Sequence, residues 1–121
     1  MHWLTTWLEP LVSIKSMTKL LTKKTLSVAK NTLHPDWELE KSTTLSRKFI
    51  FKTYLDGFMF VTKIAIHASV QKNYPIIILA PDTVTVQLVG TENKSLAVAD
   101  FSLAKTIDDM YQLSTTKRKS G

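Results

Sequence analysis

Residues 54–89, YLDGFMFVTKIAIHASVQKNYPIIILAPDTVTVQLV, change their apolar period part-way, and that change decides the fold. Tyr54, Phe58, Val61, Ile64, Ala65 and Ala68 recur at three- and four-residue steps, which gathers them on one stripe of a helix over residues 54–71. Asn73-Tyr74-Pro75 ends it, because a residue before proline avoids the helical region. Two short strands follow, over 75–80 and 83–89, separated by Pro81-Asp82. In the second, Val84, Val86 and Leu88 alternate with threonines and Gln87, as a half-buried strand requires. In the first, Ile76-Ile77-Ile78-Leu79 is apolar on both faces. That run has two readings: a central strand covered on both sides, or a strand whose second face meets another protein.

The flanks repeat the pattern. Leu20, Leu21, Leu26, Val28, Ala29 and Leu33 predict a short helix that stops before His34-Pro35. Trp37 to Thr44 alternates as a strand, and Leu45 to Lys52 alternates again, with Leu45, Arg47, Phe49 and Phe51 on one face. The two abut through Ser42-Thr43-Thr44 and read as an antiparallel hairpin. After a loop at 90–94, Ser95 or Thr91 is placed to cap a last helix, whose apolar positions are Leu96, Val98, Ala99, Leu103, Ala104, Ile107 and Met110. Asp108-Asp109 reads as a solvated part of its surface. The order is helix, strand, strand, helix, strand, strand, helix. It predicts an α+β fold: one four-stranded antiparallel sheet with three helices on one face.

A chain of 121 residues has room for one such core. Its 44% hydrophobic and 21% charged content is that of a folded globular protein. There is no cysteine, which excludes disulfides, thiolate metal sites and cysteine nucleophiles. His2, His34 and His67 are too scattered for a metal set, and His67, in mid-helix, reads as a packed or exposed histidine instead of a catalytic one. Three glycines leave no phosphate-binding loop.

The net charge of +6 lies in the ends: residues 1–33 carry +4, residues 34–112 carry −1 and residues 113–121 carry +3. A nucleic-acid-binding domain concentrates basic groups on its folded surface, so the core is not read as one. The basic ends are left for an acidic partner such as RNA or a membrane surface. No apolar run reaches the roughly 18 residues of a membrane span. Three segments result: an N-terminal extension or targeting segment over 1–16, the domain over 17–112 and a basic, frayed tail over 113–121. The first 30 residues hold one acid and five lysines, a pattern read as mitochondrial targeting, with the cytoplasm or nucleus as the alternative.

This order of elements resembles the pterin-4a-carbinolamine dehydratase family from about Thr18 to Met110. Trp37 follows a proline-containing turn, and Leu45-Ser46-Arg47-Lys48-Phe49-Ile50-Phe51 is similar to the family's Arg-x-Phe-x-Phe strand. Phe60-Val61-Thr62-Lys63-Ile64-Ala65-Ile66-His67-Ala68 matches its central helix, and Leu96-x-x-x-Asp100-x-x-Leu103-Ala104-x-x-Ile107-Asp108 its last. The family's enzymes carry Glu-x-x-x-His-His-Pro at the end of the central helix and a further histidine after the last strand. Here those places hold Ser69, Asn73, Tyr74 and Pro75, with Gly90-Thr91 after the strand. The proline and Asp100 persist, whereas the glutamate and all three histidines are absent.

The resemblance implies removal of water from a 4a-hydroxy-tetrahydropterin, which needs a proton given to the departing hydroxyl and another taken from ring nitrogen. Imidazole, with a pKa of about 6.5, serves either way at neutral pH. Asn73 exchanges no proton, the phenol of Tyr74 is a reluctant acid–base group, and Thr91 orients at most a water. No residue is therefore assigned as catalytic; Asn73, Tyr74 and Thr91 are the former catalytic positions, and Ser69, Asn73, Tyr74, Pro75 and Thr91 are expected to line the substrate cleft. No cofactor and no metal is expected. The chain is read as a catalytically degenerate, protein-binding or assembly subunit; the alternative is an active 4a-hydroxytetrahydrobiopterin dehydratase, a lyase of tetrahydrobiopterin recycling. The resemblance also implies a homo-oligomer, dimer or tetramer, and a protein partner met through the central helix or a sheet edge.

Overall fold

The computed structural model describes residues 23–90 and 95–120, with side chains through Ser114. Leu20, Leu21, Thr91 and the segment 1–16 lie outside the described residues. Three helices, α1 (Lys23–Asn31), α2 (Tyr54–Gln71) and α3 (Val98–Ser120), alternate with two strand pairs, β1 (Glu38–Glu40), β2 (Thr44–Ile50), β3 (Ile76–Leu79) and β4 (Thr83–Val89). The strands form one antiparallel sheet in the order β1-β2-β4-β3. This is the expected α+β arrangement.

The register sets the core. Leu45 faces Leu88, Arg47 faces Val86 and Phe49 faces Val84, and these side chains are all buried on the helical side. Their neighbours Ser46, Lys48, Thr85 and Gln87 lie on the other face, as period-two geometry demands. Phe49 meets Trp37, Phe60 and Tyr111 edge-on at ring-centre distances of 6.0, 5.0 and 5.0 Å. Such pairs stabilise by about 0.5–1.5 kcal/mol each beyond their buried area. α2 comes close to the sheet at Gly57, where a Cβ would stand 3.1 Å from Leu79 Cδ1 and 3.3 Å from Val84 Cγ2.

Several elements differ from expectation, each for a physical reason. β1 is only three residues long, because Lys41, in the left-handed conformation (φ 54°), opens a turn at 41–43, and the Trp37 N–H closes another on the His34 carbonyl at 3.1 Å. The buried stripe of α2 is Gly57, Phe60, Ile64 and Ala68, flanked by Val61, while Tyr54, Phe58 and Ala65 face outward. α2 is apolar over most of its circumference, so periodicity alone leaves its rotation open. The aromatic contacts of Phe60 with Phe49 and Phe51 settle it. In α1, Leu26 is buried and Val28 is exposed. Phe101, absent from the expected stripe of α3, is buried, and the α3 backbone stays helical to Ser120 through the stretch expected to fray. β3 is an edge strand and not a central one, with Ile78 51% exposed.

A charged cluster lies inside this core. Arg47, 7% exposed, donates from Nη1 to Asp108 Oδ1 at 2.7 Å. Trp37 Nε1 donates to both oxygens of the same carboxylate, at 2.9 and 3.0 Å. Asp108, half-buried, is thus the anchor of Arg47 and Trp37 instead of a solvated surface residue. The guanidinium also lies 4.5 Å from the centre of the Phe49 ring.

Candidate functional site

The end of α2 builds the site. Lys72 takes the left-handed conformation (φ 55°), and the Lys72 and Asn73 N–H groups donate back to the Ser69 and Ala68 carbonyls at 3.4 and 3.1 Å. These are the two hydrogen bonds of a Schellman cap, which turns the chain sharply out of the helix. The turn brings Asn73 against the first turn of α3, where its Nδ2 donates to Asp100 Oδ1 at 3.2 Å. The other Asp100 oxygen accepts the Ala97 N–H at 2.8 Å, tying off the start of α3 from within.

Asp100 is 7% exposed. Its burial, opposed by the hydrogen bonds from Ala97 and Asn73, holds the carboxyl above its ordinary pKa of 3.8. An acid whose folded pKa is raised stabilises the fold below 3.8, and that contribution is lost as pH rises through the raised value. Relative to Asp100→Asn, the wild type is therefore expected to lose stability as pH climbs from 4. Urea midpoints between pH 4 and 8 check this. The opposite slope would mean that the two hydrogen bonds outweigh burial.

Between α2 and α3 lies a cleft of about 280 Å³. α2 contributes His67 and Gln71, and Asn73 follows at its end; α3 contributes Ala99, Ser102, Leu103 and Thr106. Of the residues expected to line a substrate cleft, Asn73 is there. The Ser69 hydroxyl is exposed and donates to the Ala65 carbonyl at 2.8 Å. Tyr74 is 70% exposed, Pro75 is half-buried just before β3, and neither is among the residues lining this cleft. Thr91 lies outside the described residues. His67, read from the sequence as a packed or exposed histidine, is half-buried and lines the cleft with Gln71, Ser102 and Thr106, which the sequence reading did not place there. The available signal was the four-residue spacing of His67 with Gln71 and of Ser102 with Thr106, which puts each pair on one helix face.

A wider concavity of about 470 Å³ opens where β1 begins, bordered by Asp36, Glu38, Arg47 and Lys48. It mixes both signs of charge. Among the described residues no group of histidines, cysteines and acids is arranged to hold a metal ion. No helix among them is long and apolar enough to cross a membrane.

Comparison with known proteins places this architecture. The family model described as "Pterin 4 alpha carbinolamine dehydratase" matches residues 19–110. A provisionally assigned pterin-4-alpha-carbinolamine dehydratase of Rhodospirillum rubrum is 34% identical over 76 residues, covering 62% of this chain and 79% of its own. A second, from Koribacter versatilis, is 28% identical over 95 residues, covering 78% and 99%. The crystal structure of a transcriptional coactivator/pterin dehydratase from Brucella melitensis superposes with a TM-score of 0.70 at 21% identity, over 77% of this chain and 99% of the other. A pterin dehydratase-like RuBisCO assembly factor of the alpha-carboxysome superposes with a TM-score of 0.54 at 20% identity, over 64% and 95%. The two structures share the fold, and the family model extends over most of the chain. The chain belongs to the pterin-4a-carbinolamine dehydratase family.

Proposed function

We propose that this family member is a binding or assembly subunit that keeps a pterin-sized cleft but not the family's acid–base chemistry. One observation carries the reading: α2 turns a largely apolar surface to solvent. Leu55, Phe58, Met59, Ile66 and Val70 are all exposed, Phe58 at 52%, and they stand outside the core that α2 serves with its opposite face. The steps from Leu55 through Met59 and Thr62 to Ile66 are four, three and four residues, the seam spacing of packed helices. A chain at home in water leaves such a stripe uncovered only at an interface. The β3 edge adds a second contact of the same character, since Ile76 and Ile78 are exposed and Ile76–Leu79 carries no charge.

The occupant we assign to the α2 stripe is a second copy of the chain, giving a homodimer or tetramer, with β3 left for a protein partner. One relative of the same fold acts as a RuBisCO assembly factor, a precedent for assembly work on this scaffold. The lysine-rich first 30 residues are read as directing the chain to mitochondria.

Sedimentation at micromolar concentration tests this. The wild type is expected to sediment as an oligomer and the Phe58→Glu/Ile66→Glu variant as a folded monomer, because both side chains lie outside the core. A monomeric wild type at every concentration would remove the basis for the assembly reading. The second reading, an active 4a-hydroxytetrahydrobiopterin dehydratase, is favoured by the persistence of the cleft with Asn73 and a histidine on its wall.

A further inference from the structure

We propose that His67 is the residue by which this chain recognises the ligand of the α2–α3 cleft, in place of the side chains at positions 73 and 74. The inference rests on the reading of that cleft as a site for a reduced pterin. Asn73 spends one amide N–H on Asp100 Oδ1 at 3.2 Å, which ties its side chain to the first turn of α3. Tyr74 points 70% of its surface to solvent. His67 is the half-buried group on this wall of the cleft, which it lines with Gln71 one turn on.

The cleft has two polar walls and an apolar base. Facing His67 and Gln71, α3 supplies Ser102 and Thr106, also one turn apart. The Thr106 hydroxyl donates to the Ser102 carbonyl at 3.1 Å, which leaves its oxygen to accept. Ala99 and Leu103 supply the apolar surface. No lysine, arginine, aspartate or glutamate is among the lining residues. This chemistry fits a small, uncharged, planar heterocycle whose face lies on the apolar surface and whose edge both donates and accepts hydrogen bonds. The volume of about 280 Å³ is sufficient for a two-ring system. Within that set the imidazole is the one group that offers a flat aromatic face as well as a donor and an acceptor nitrogen.

Calorimetric titration with 7,8-dihydrobiopterin tests the proposal on the full chain, its His67→Leu and its His67→Gln variants. The expected result is a loss of about tenfold in affinity for His67→Leu, the worth of one good hydrogen bond. His67→Gln, whose amide still donates and accepts, should stay within about threefold of wild type. Alongside, the imidazole Cε1–H resonance of His67 in the wild type should shift on titration, a readout that needs no variant to fold. Equal binding by wild type and His67→Leu, or an unmoved resonance at saturation, would overturn the role of His67 while the cleft reading stands. No binding by the wild type at millimolar ligand would sink the cleft reading itself and this inference with it.

Discussion

Asp108→Ala is expected to lower the stability of the fold by about 3–5 kcal/mol, the penalty for leaving one partner of a buried ion pair alone. The denaturant midpoint should fall with little change in slope. Asp108 accepts from Arg47 Nη1 at 2.7 Å and from Trp37 Nε1 at 2.9 and 3.0 Å. Removing it strands a guanidinium and an indole N–H together. Arg47 is poorly placed to recover: it is 7% exposed, its Nε has no partner among the described residues, and its other anion, Asp36, lies 3.8 Å away and is mostly exposed. Asp108→Asn should lose less, since an amide oxygen still accepts from Trp37 while the charge on Arg47 goes unmatched. The double variant Arg47→Met/Asp108→Leu separates charge from packing. If it recovers most of the loss, the pair holds the register of β2 against α3 without adding net stability. A loss below about 1 kcal/mol for Asp108→Ala would show that water reaches Arg47 after all.

This cluster also shows where the sequence is legible. Arg47 is assigned to the buried parity of β2 by its spacing with Leu45, Phe49 and Phe51, and it is buried. Its partner is not, because Asp108-Asp109 on a helix looks the same whether one of the pair is turned inward or both face water. The element order follows from punctuation at His34-Pro35, Tyr74-Pro75 and Pro81-Asp82, which acts locally on the backbone and needs no tertiary knowledge. Strand position does not follow in that way. Ile76-Ile77-Ile78-Leu79 suits a central strand as well as an edge, and only the pairing of β4 between β2 and β3 decides it. The rotation of α2 fails for the same reason: with apolar residues on two faces, the 3.6-residue period has no unique direction.

That ambiguity has a structural meaning. A helix serving one core needs one apolar stripe, and α2 has a second, running through Leu55, Met59 and Ile66. Local sequence and isolated fold therefore disagree at the place where an interface is proposed, as is expected where function departs from the rules of folding. The same helix carries His67 on its cleft side, so the proposed ligand site and the proposed assembly surface are two sides of one element.

In a dehydratase assay on a 4a-hydroxy-tetrahydropterin, the wild type is expected to stay close to the uncatalysed rate, and Asn73→His to raise it about 10²-fold, the lower bound for one positioned general acid or base. Position 73, where the resemblance places a catalytic histidine, lines the cleft, so an imidazole placed there borders it. It would also stand beside Asp100, whose Oδ1 is 3.2 Å from the present amide nitrogen. A carboxylate at that distance orients the imidazole and stabilises its protonated form, so the dyad is half-built before the substitution. Adding Tyr74→His should contribute less in the isolated chain, because that side chain is 70% exposed and off the cleft wall. A larger gain from Tyr74→His in the oligomer than in the Phe58→Glu/Ile66→Glu monomer would instead mean that assembly brings this position into the site. A wild type that already turns over, and loses that turnover on His67→Leu, would overturn the degenerate reading and make His67 the working acid–base group. A silent Asn73→His variant that still binds pterin would show that a histidine at this position alone does not restore the chemistry.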